Sequence, residues 1–92
     1  MQDARLVLKP HVLVERDGED EDVVLIDSHT GRMSACNETA SVLVLKLQGG
    51  STVSGLVEAL TTQFKVEGDV ASRDVHAVLD ALSYAEMLDT SE

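Results

Sequence analysis

Alternating hydrophobic and polar positions occupy the first third of the chain and predict three β-strands. Apolar residues recur with a period of two over residues 6–14, and Pro10 interrupts them, so we expect the ordered strand at residues 11–16. The β-branched run at residues 23–26 predicts a second strand that is covered on much of both faces, and residues 32–36 predict a third. Short turns between them indicate an antiparallel meander with the first and third strands at its edges.

The two segments between these strands have the composition of turns. Residues 17–22 hold five acids around Gly18 without the ligand spacing of a calcium loop, and we interpret them as a solvated hairpin loop. Residues 27–31 combine Asp, Ser and Gly and lead into the third strand. Pro10 and the acidic loop disfavour pairing of another strand with the first edge, so the third strand is the edge where a binding partner is more readily added.

The period changes to that of a helix after Asn37, and three helices follow. Asn37 is a suitable N-cap for the first helix, and a Gly-Gly pair at residues 49–50 ends it. Ser51 or Thr52 then caps the second helix, and the third runs from about residue 71 to residue 87.

The third helix has two apolar stripes, more than a helix buried on one side requires. The first stripe comprises Val75, Val78, Leu79 and Leu82, and the second comprises Val70, Ala77, Ala81, Tyr84 and Leu88. Either both stripes are buried, or one packs on the core while the edge of the other lines a groove, and the pattern does not indicate which stripe faces a ligand. The pattern leaves both alternatives open.

Length and charge narrow the classes of function. A chain of 92 residues fits a single domain over residues 1–92 with one modest core. The formal net charge is −10, so nucleic acid is a poor partner and a basic protein surface is a better one. No signal peptide is indicated, and no apolar run approaches the roughly 20 residues of a membrane span. We expect a soluble cytoplasmic protein with no membrane partner.

Residues that carry catalysis or bind metal ions are few and far apart in the sequence. His11, His29 and His76 fall in three different elements, and no serine or cysteine lies in a nucleophile motif. No pair of His or Cys residues has metal-ligand spacing, and Cys36 is expected to pack as a small apolar group. The sequence therefore predicts no catalytic residue, no metal site and no cofactor, and the chain is interpreted as a binding protein, not an enzyme.

Three kinds of binding protein are then compared. A carrier of an acyl or peptidyl arm is disfavoured, because Ser28 lies in a turn and not at a helix start. A winged helix that reads DNA is opposed by Asp74, Asp80 and Glu86 on the third helix, against Arg73. The third kind captures an extended peptide on the third strand, with every second peptide side chain entering a groove beside the last helix.

Four short segments along nearly the whole chain form a recognisable order: residues 31–40, residues 47–53 (LQGGSTV), residues 64–66 (FKV) and residues 71–75 (ASRDV). Together they resemble the PqqD-like family, the recognition elements of ribosomally made, post-translationally modified peptides. The fold that this resemblance implies agrees with the pattern above: α+β, a three-stranded antiparallel sheet followed by three helices in a winged helix-turn-helix-like arrangement. The chain looks most similar to the stand-alone leader-binding proteins of lasso-peptide biosynthesis.

By this resemblance, the chain is a non-catalytic adaptor that binds the leader segment of a precursor peptide by strand addition. It would present the leader to a separate leader peptidase, with an ATP-dependent cyclase as a downstream partner. A PqqD-type peptide chaperone for a radical-SAM enzyme and a winged-helix DNA-binding regulator are the alternatives. The implied leader-binding residues are Arg32, Met33, Ser34 and Ala35 on the third strand and Asp74, Val75, Val78 and Leu79 on the third helix.

Overall fold

The structure is a computed structural model that describes residues 4–17 and 22–91. Its strands are β1 (Arg5–Leu8), β2 (Val12–Asp17), β3 (Asp22–Asp27), β4 (Met33–Ala35) and β5 (Leu88–Ser91), and its helices are α1 (Glu38–Gly49), α2 (Val53–Phe64) and α3 (Gly68–Tyr84). The predicted acidic hairpin loop falls mostly on residues 18–21, which lie outside the described residues. None of the helices in the described part of the chain is long and apolar enough to cross a bilayer.

The predicted meander is present and precedes the three helices. Strands β2, β3 and β4 are antiparallel and adjacent in that order, so β4, the third strand of the meander, lies at the edge of the sheet. The register pairs Val12 with Asp27 between β2 and β3, and Leu25 with Ser34 between β3 and β4. The α+β fold expected from the sequence is confirmed.

A second sheet of two strands, β1 and β5, is not among the predicted elements. Leu8 pairs with Leu88 in this sheet. Pro10 lies in the turn between β1 and β2, where the N–H of Val12 donates to the carbonyl of Lys9 at 3.0 Å. The period of two at the start of the chain therefore covers two strands that belong to different sheets.

The first two helices begin and end where local signals predict. Asn37 caps α1 by accepting the N–H of Ala40 at 2.8 Å, and Thr52 caps α2 in the same way. Gly50 follows α1 with a φ of 89°, a conformation that side chains with a Cβ rarely adopt. A Cβ at this position would also lie 2.9 Å from Nε of Arg5. The φ angle is the reason for glycine here, because the exposed Arg5 side chain is able to move away from a Cβ.

Helix α3 lies three residues earlier than the predicted range of 71–87 at both ends. It ends in a Schellman motif, in which the N–H of Met87 donates to the carbonyl of Leu82 at 2.9 Å and the N–H of Glu86 to that of Ser83 at 3.0 Å. Glu86 occupies the left-handed position of this motif, with a φ of 60°. Met87 thereby leaves the helix and enters the core, which simple continuation of the helical period does not predict.

The core is aliphatic, as the composition requires, and α1 is its central helix. Helix α1 packs against β1, β2 and β3 on one side and against α2 and α3 on the other. The buried apolar side chains are Leu8, Val12, Val23, Leu25, Leu43, Val44, Leu47, Leu56, Leu60, Ala71, Val75, Leu79, Leu82 and Met87. Phe64 is half-buried at the margin of this cluster.

Candidate functional site

A groove runs between the edge of β4 and helix α3, and it is made of three adjoining concavities. The largest has a volume of about 680 Å³ beside the β3–β4 turn. The next, of about 240 Å³, shares Ser34 and Ala85 with it, and the third, of about 180 Å³, shares Asn37 and Val78 with the second. The lining residues of the groove are Lys9, His11, Leu25, Asp27, His29, Thr30, Arg32, Ser34, Ala35, Cys36, Asn37, Thr39, Ala40, Val44, Asp74, Ala77, Val78, Ala81, Leu82, Tyr84, Ala85, Glu86 and Met87.

Two backbone hydrogen bonds define how β4 is joined to β3. The N–H of Cys36 donates to the carbonyl of Val23 at 2.9 Å, just beyond one end of β4. At the other end, the N–H of Asp27 donates to the carbonyl of Arg32 at 2.8 Å. These bonds fix the alternation of hydrogen-bonded and non-hydrogen-bonded pairs along the ladder.

The backbone of Met33 and Ala35 therefore points away from the sheet. In an antiparallel ladder, facing residues alternate between pairs that exchange both hydrogen bonds and pairs that exchange none. The flanking bonds make Leu25 and Ser34 the exchanging pair. The residues on either side of Ser34 then direct their N–H and C=O groups outward, toward the space beside β4. Two N–H and two C=O groups are available there for another strand.

The strand residues that the family resemblance implicated have two different orientations. Arg32 and Ser34 line the largest concavity, and Ser34 also lines the middle one. Ala35 borders the middle concavity as well, although its side chain lies on the face of the strand opposite Ser34. The side chain of Met33 is 67% exposed and pairs across the sheet with Ile26, so it lies on the opposite face from Ser34. Met33 contributes its backbone to the edge but not its side chain to the groove.

The helix residues also divide, because they lie on different faces of α3. Asp74 and Val78 line the smallest concavity, and Val78 also reaches the middle one. Val75 and Leu79, with exposed fractions of 0% and 8%, turn into the core. The structure therefore does not bring these two side chains to the groove, and their role is to hold α3 in place beneath it.

The second apolar stripe of α3, and not Val75 or Leu79, forms the wall of the groove. Ala77 and Ala81 are exposed and line the groove, and Tyr84 at the end of the helix is 93% exposed.

Of the two alternatives that the sequence left open, the structure has one stripe on the core and the edge of the other along a groove. The structure, and not the sequence, shows that the second stripe lies along the groove, and Val78 and Leu82 of the first stripe border it as well. Ala85 and Met87, which follow α3, complete this wall and carried no separate sequence signal.

Charge is distributed unevenly along the groove. Lys9 and Arg32 line its largest concavity, together with Glu86, whereas Asp74 lies at the opposite end. Because the chain as a whole carries a formal charge of −10, the turn end of the groove is where basic side chains are concentrated. Asp27 lines the largest concavity as well, so the two basic and two acidic side chains there balance in formal charge.

Cys36 lies in the middle concavity, at the joint of β4 and α1. Its side chain is half-buried and packs against the core cluster, as the sequence analysis expects. Burial raises the pKa of the Cys36 thiol above its ordinary value of 9.0, because desolvation disfavours the thiolate. The residue is an uncharged, apolar part of the groove at neutral pH.

Asp27 is the buried carboxylate of the groove and organises the β3–β4 turn. Its Oδ1 accepts the N–H of His29 at 2.9 Å and that of Thr30 at 3.3 Å. Burial acts to raise the pKa of this carboxyl, but the two backbone N–H groups and the neighbouring His11 and His29 rings outweigh it and lower the pKa below 3.8. The structure thus brings His11 and His29 together around Asp27, which their positions in the sequence did not indicate.

Comparison with protein families identifies a family to which this chain belongs. Residues 22–88 match a family described as "Coenzyme PQQ synthesis protein D (PqqD)". The matched segment contains β3, β4 and all three helices, and hence the whole groove except Lys9 and His11. Comparison with curated protein sequences gives no significant match.

Three solved structures have a similar fold. A lasso peptide synthetase B1 complexed with the leader peptide is 27% identical, with a TM-score of 0.78 over 91% of this chain and 96% of that chain. TbiB1 in complex with the TbiA(beta) leader peptide is 22% identical, with a TM-score of 0.81 over 94% and 98%. The PqqD truncation of Methylobacterium extorquens PqqCD, a stand-alone recognition element, is 19% identical, with a TM-score of 0.74 over 92% and 88%.

Proposed function

This chain belongs to the PqqD family of recognition elements for ribosomally made, post-translationally modified peptides, and on that premise we propose that it binds a precursor leader by strand addition to β4. The observation that carries the proposal is the outward backbone of Met33 and Ala35 beside a groove. The similar lasso peptide synthetase B1, complexed with the leader peptide, supports the choice of ligand.

Backbone pairing would supply most of the affinity. A peptide strand beside β4 would lie about 4.8 Å away and could exchange hydrogen bonds with the N–H and C=O groups of Met33 and Ala35. Each bond contributes about 0.5–1.5 kcal/mol net, because the groups exchange water partners for peptide partners. This part of the binding energy is largely independent of the leader sequence.

The groove would supply specificity. Side chains at alternate positions of an extended peptide lie about 6.6–7 Å apart and point to the same face. The middle concavity, of about 240 Å³, is walled by the apolar groups of Cys36, Val78 and Ala81 and suits one apolar side chain of the leader. The turn end carries two basic and two acidic side chains, which suit a polar side chain further along the peptide.

The finer part of the proposal is that the chain acts as a non-catalytic adaptor of lasso-peptide biosynthesis. It would hold the leader extended and present it to a separate leader peptidase, before an ATP-dependent cyclase acts. The apolar environment of Cys36, which keeps the thiol protonated, is unsuited to a nucleophile. A chaperone that serves a radical-SAM enzyme would use the same groove and differ only in the partner.

DNA binding is a poorer fit to the same surface. Helix α3 presents Asp74 and Asp80 beside Arg73, and phosphates are repelled by the carboxylates. A gel-shift assay at physiological salt separates this alternative from leader binding.

The test of strand addition is amide hydrogen exchange on the ¹⁵N-labelled chain with and without a synthetic leader of its cognate precursor. The N–H groups of Met33 and Ala35 are expected to become at least about tenfold slower to exchange on binding. The N–H of Ser34, which already pairs with β3, is expected to change little. Binding without protection of Met33 and Ala35 would exclude strand addition, and no binding at about 50 μM would exclude the leader as ligand.

A pair of variants extends the test to presentation. Ala35→Pro removes an outward N–H without removing a bond to β3, whereas Ala35→Val keeps the N–H. Only the proline variant is expected to lose leader binding and the ability to accelerate cleavage of the precursor by the partner peptidase. Equal acceleration by both variants would contradict presentation through β4.

A further inference from the structure

Three side chains of the kind that bind transition metals meet at the turn end of the groove. Nε2 of His11 lies 3.8 Å from Oδ1 of Asp27, and the rings of His11 and His29 stack with centroids 4.1 Å apart. The candidate ligand atoms of the three residues all lie within 4.8 Å of one another. Among the side chains that the structure describes, at residues 4–16 and 23–90, no other group of three such residues comes as close.

The backbone holds the three residues together. Asp27 pairs with Val12 across β2 and β3, which places His11 beside the β3–β4 turn. Ser28 then ties this turn to the segment before β2, because its N–H and its Oγ both donate to the carbonyl of His11, at 3.0 Å and 2.7 Å. The cluster therefore depends on regular sheet pairing and not on a flexible tail.

Asp27 is preorganised as an anionic ligand. Its carboxylate is buried, and the N–H groups of His29 and Thr30 fix its orientation. Ligating carboxylates in metal sites are commonly held by hydrogen bonds of this kind, which set their direction and keep them ionised. The same bonds complete an Asx turn without a metal ion, so the turn alone does not require one. An Asx turn does not require two imidazole rings beside its carboxylate, and His11 and His29 are therefore the observation that points to a metal ion.

The spacing is close to that of a metal site. With metal–ligand bonds of about 2.0–2.1 Å, the ligand atoms of a tetrahedral centre are about 3.4 Å apart. The two rings stack at an interplanar angle of 11°, so their in-plane nitrogen lone pairs do not converge on one ion in this arrangement. Binding therefore requires the exposed His29 to rotate out of the stack, which also shortens the present separations of up to 4.8 Å. The concavity of about 680 Å³ in front of the cluster leaves room for a fourth ligand. Lys9 and Arg32 line the same concavity and oppose a cation, whereas Glu86 favours it.

We propose that His11, Asp27 and His29 bind one divalent transition-metal ion of the Zn²⁺ class at the turn end of the groove. Two imidazoles and one carboxylate match the preference of Zn²⁺ and its neighbours for nitrogen and oxygen ligands in three-residue sites with an open position. The open position faces the groove, where water or a group of a bound peptide completes the coordination.

The test is a calorimetric titration of the metal-free full chain with Zn²⁺ alone. Asp27→Asn keeps an oxygen that accepts the N–H groups of the turn but removes the charge, and His29→Gln removes one imidazole. His76→Gln is the matched control, because His76 is exposed on α3 and lies outside the cluster. The native chain is expected to bind one Zn²⁺. Asp27→Asn and His29→Gln should each weaken binding at least about tenfold, and His76→Gln should leave it unchanged.

A second measurement keeps the proposal testable if a variant fails to fold. In the NMR spectrum of the native chain, added Zn²⁺ is expected to shift the ring resonances of His11 and His29 and not those of His76. The site is excluded if Zn²⁺ does not bind below about 1 mM, or if it binds equally well to Asp27→Asn and His29→Gln. Leader binding is measured separately with a chelator present, so failure of the metal site leaves the proposed function intact.

Discussion

Leu25 and Ser34 face each other as the hydrogen-bonded pair at the centre of the β3–β4 ladder. This pairing turns the backbone of Met33 and Ala35 outward and the side chain of Ser34 toward the groove. A slip of one residue in this register would reverse both orientations. Only the backbone of Ser34 would then point outward from the three-residue strand, and the side chain of Met33 would face the groove. The register of one short strand thus sets what a peptide partner meets.

Filling the groove from α3 is expected to abolish leader binding without unfolding the protein. Ala81 is exposed and lines the middle concavity, so Ala81→Tyr places a ring where a peptide side chain would lie. We expect a loss of at least about tenfold in leader affinity, or about 1.4 kcal/mol, by titration. Ser83→Tyr, on an exposed position of α3 outside the groove, is the control and should bind normally. Equal binding by both variants would show that the leader lies elsewhere.

The division of α3 into a core face and a groove face predicts opposite effects at adjacent residues. Leu79→Ala is expected to lower the free energy of unfolding by about 2–5 kcal/mol, because it leaves a cavity beneath the helix. Its leader affinity, compared under conditions where the variant is folded, should change less than twofold. Val78→Ala should cost less stability and weaken leader binding more. Stability is measured by urea denaturation and leader affinity by titration. If Leu79→Ala weakened leader binding more than Val78→Ala while costing less stability, Leu79 would lie in the binding site.

Glu86 occupies a backbone conformation that favours glycine. At a φ of 60° it carries the strain of a left-handed residue, which costs about 1–2 kcal/mol for an amino acid with a Cβ. Glycine relieves this strain, but its greater backbone freedom stabilises the unfolded state by about 0.5–1 kcal/mol. The strain relief is the larger of the two effects, so Glu86→Gly should raise the free energy of unfolding by about 0.5–1 kcal/mol. Asp80→Gly, at an exposed position inside α3, should instead lower it by about 0.3 kcal/mol, because the helix propensity of glycine is that much below the already low value for aspartate. Chemical denaturation of both variants checks the difference in sign.

Acid should weaken the fold partly through Asp27. The pKa of this carboxyl is lower in the folded protein than its ordinary value of 3.8, so its contribution to stability is complete above that value and is lost as the pH falls through the folded pKa. Asp27→Asn keeps the acceptor oxygen and does not titrate, so the metal-free variant should lose less stability between about pH 6 and pH 2. Denaturation midpoints across this range measure the effect, and identical profiles for both proteins would contradict it.

Features that depend on a few neighbouring residues were predictable. Asn37 and Thr52 cap their helices through bonds to residues three positions later, and Gly50 ends α1 through its own φ angle. Such bonds form wherever the local chain is helical, so the sequence pattern suffices. The pairing of Leu8 with Leu88 is different, because it joins strands from opposite ends of the chain.

The candidate site shows the same division. The amino-acid sequence by itself determined the order of the three meander strands and the three helices, the aliphatic core and the presence of two apolar stripes on α3, because side-chain periods of two and of 3.6 are local properties. Only the tertiary structure decided that Val75 is buried while Ala81 lines a groove, and that His11 meets His29 at Asp27. Which face is covered, and which distant side chains meet, follow from the packing of whole elements.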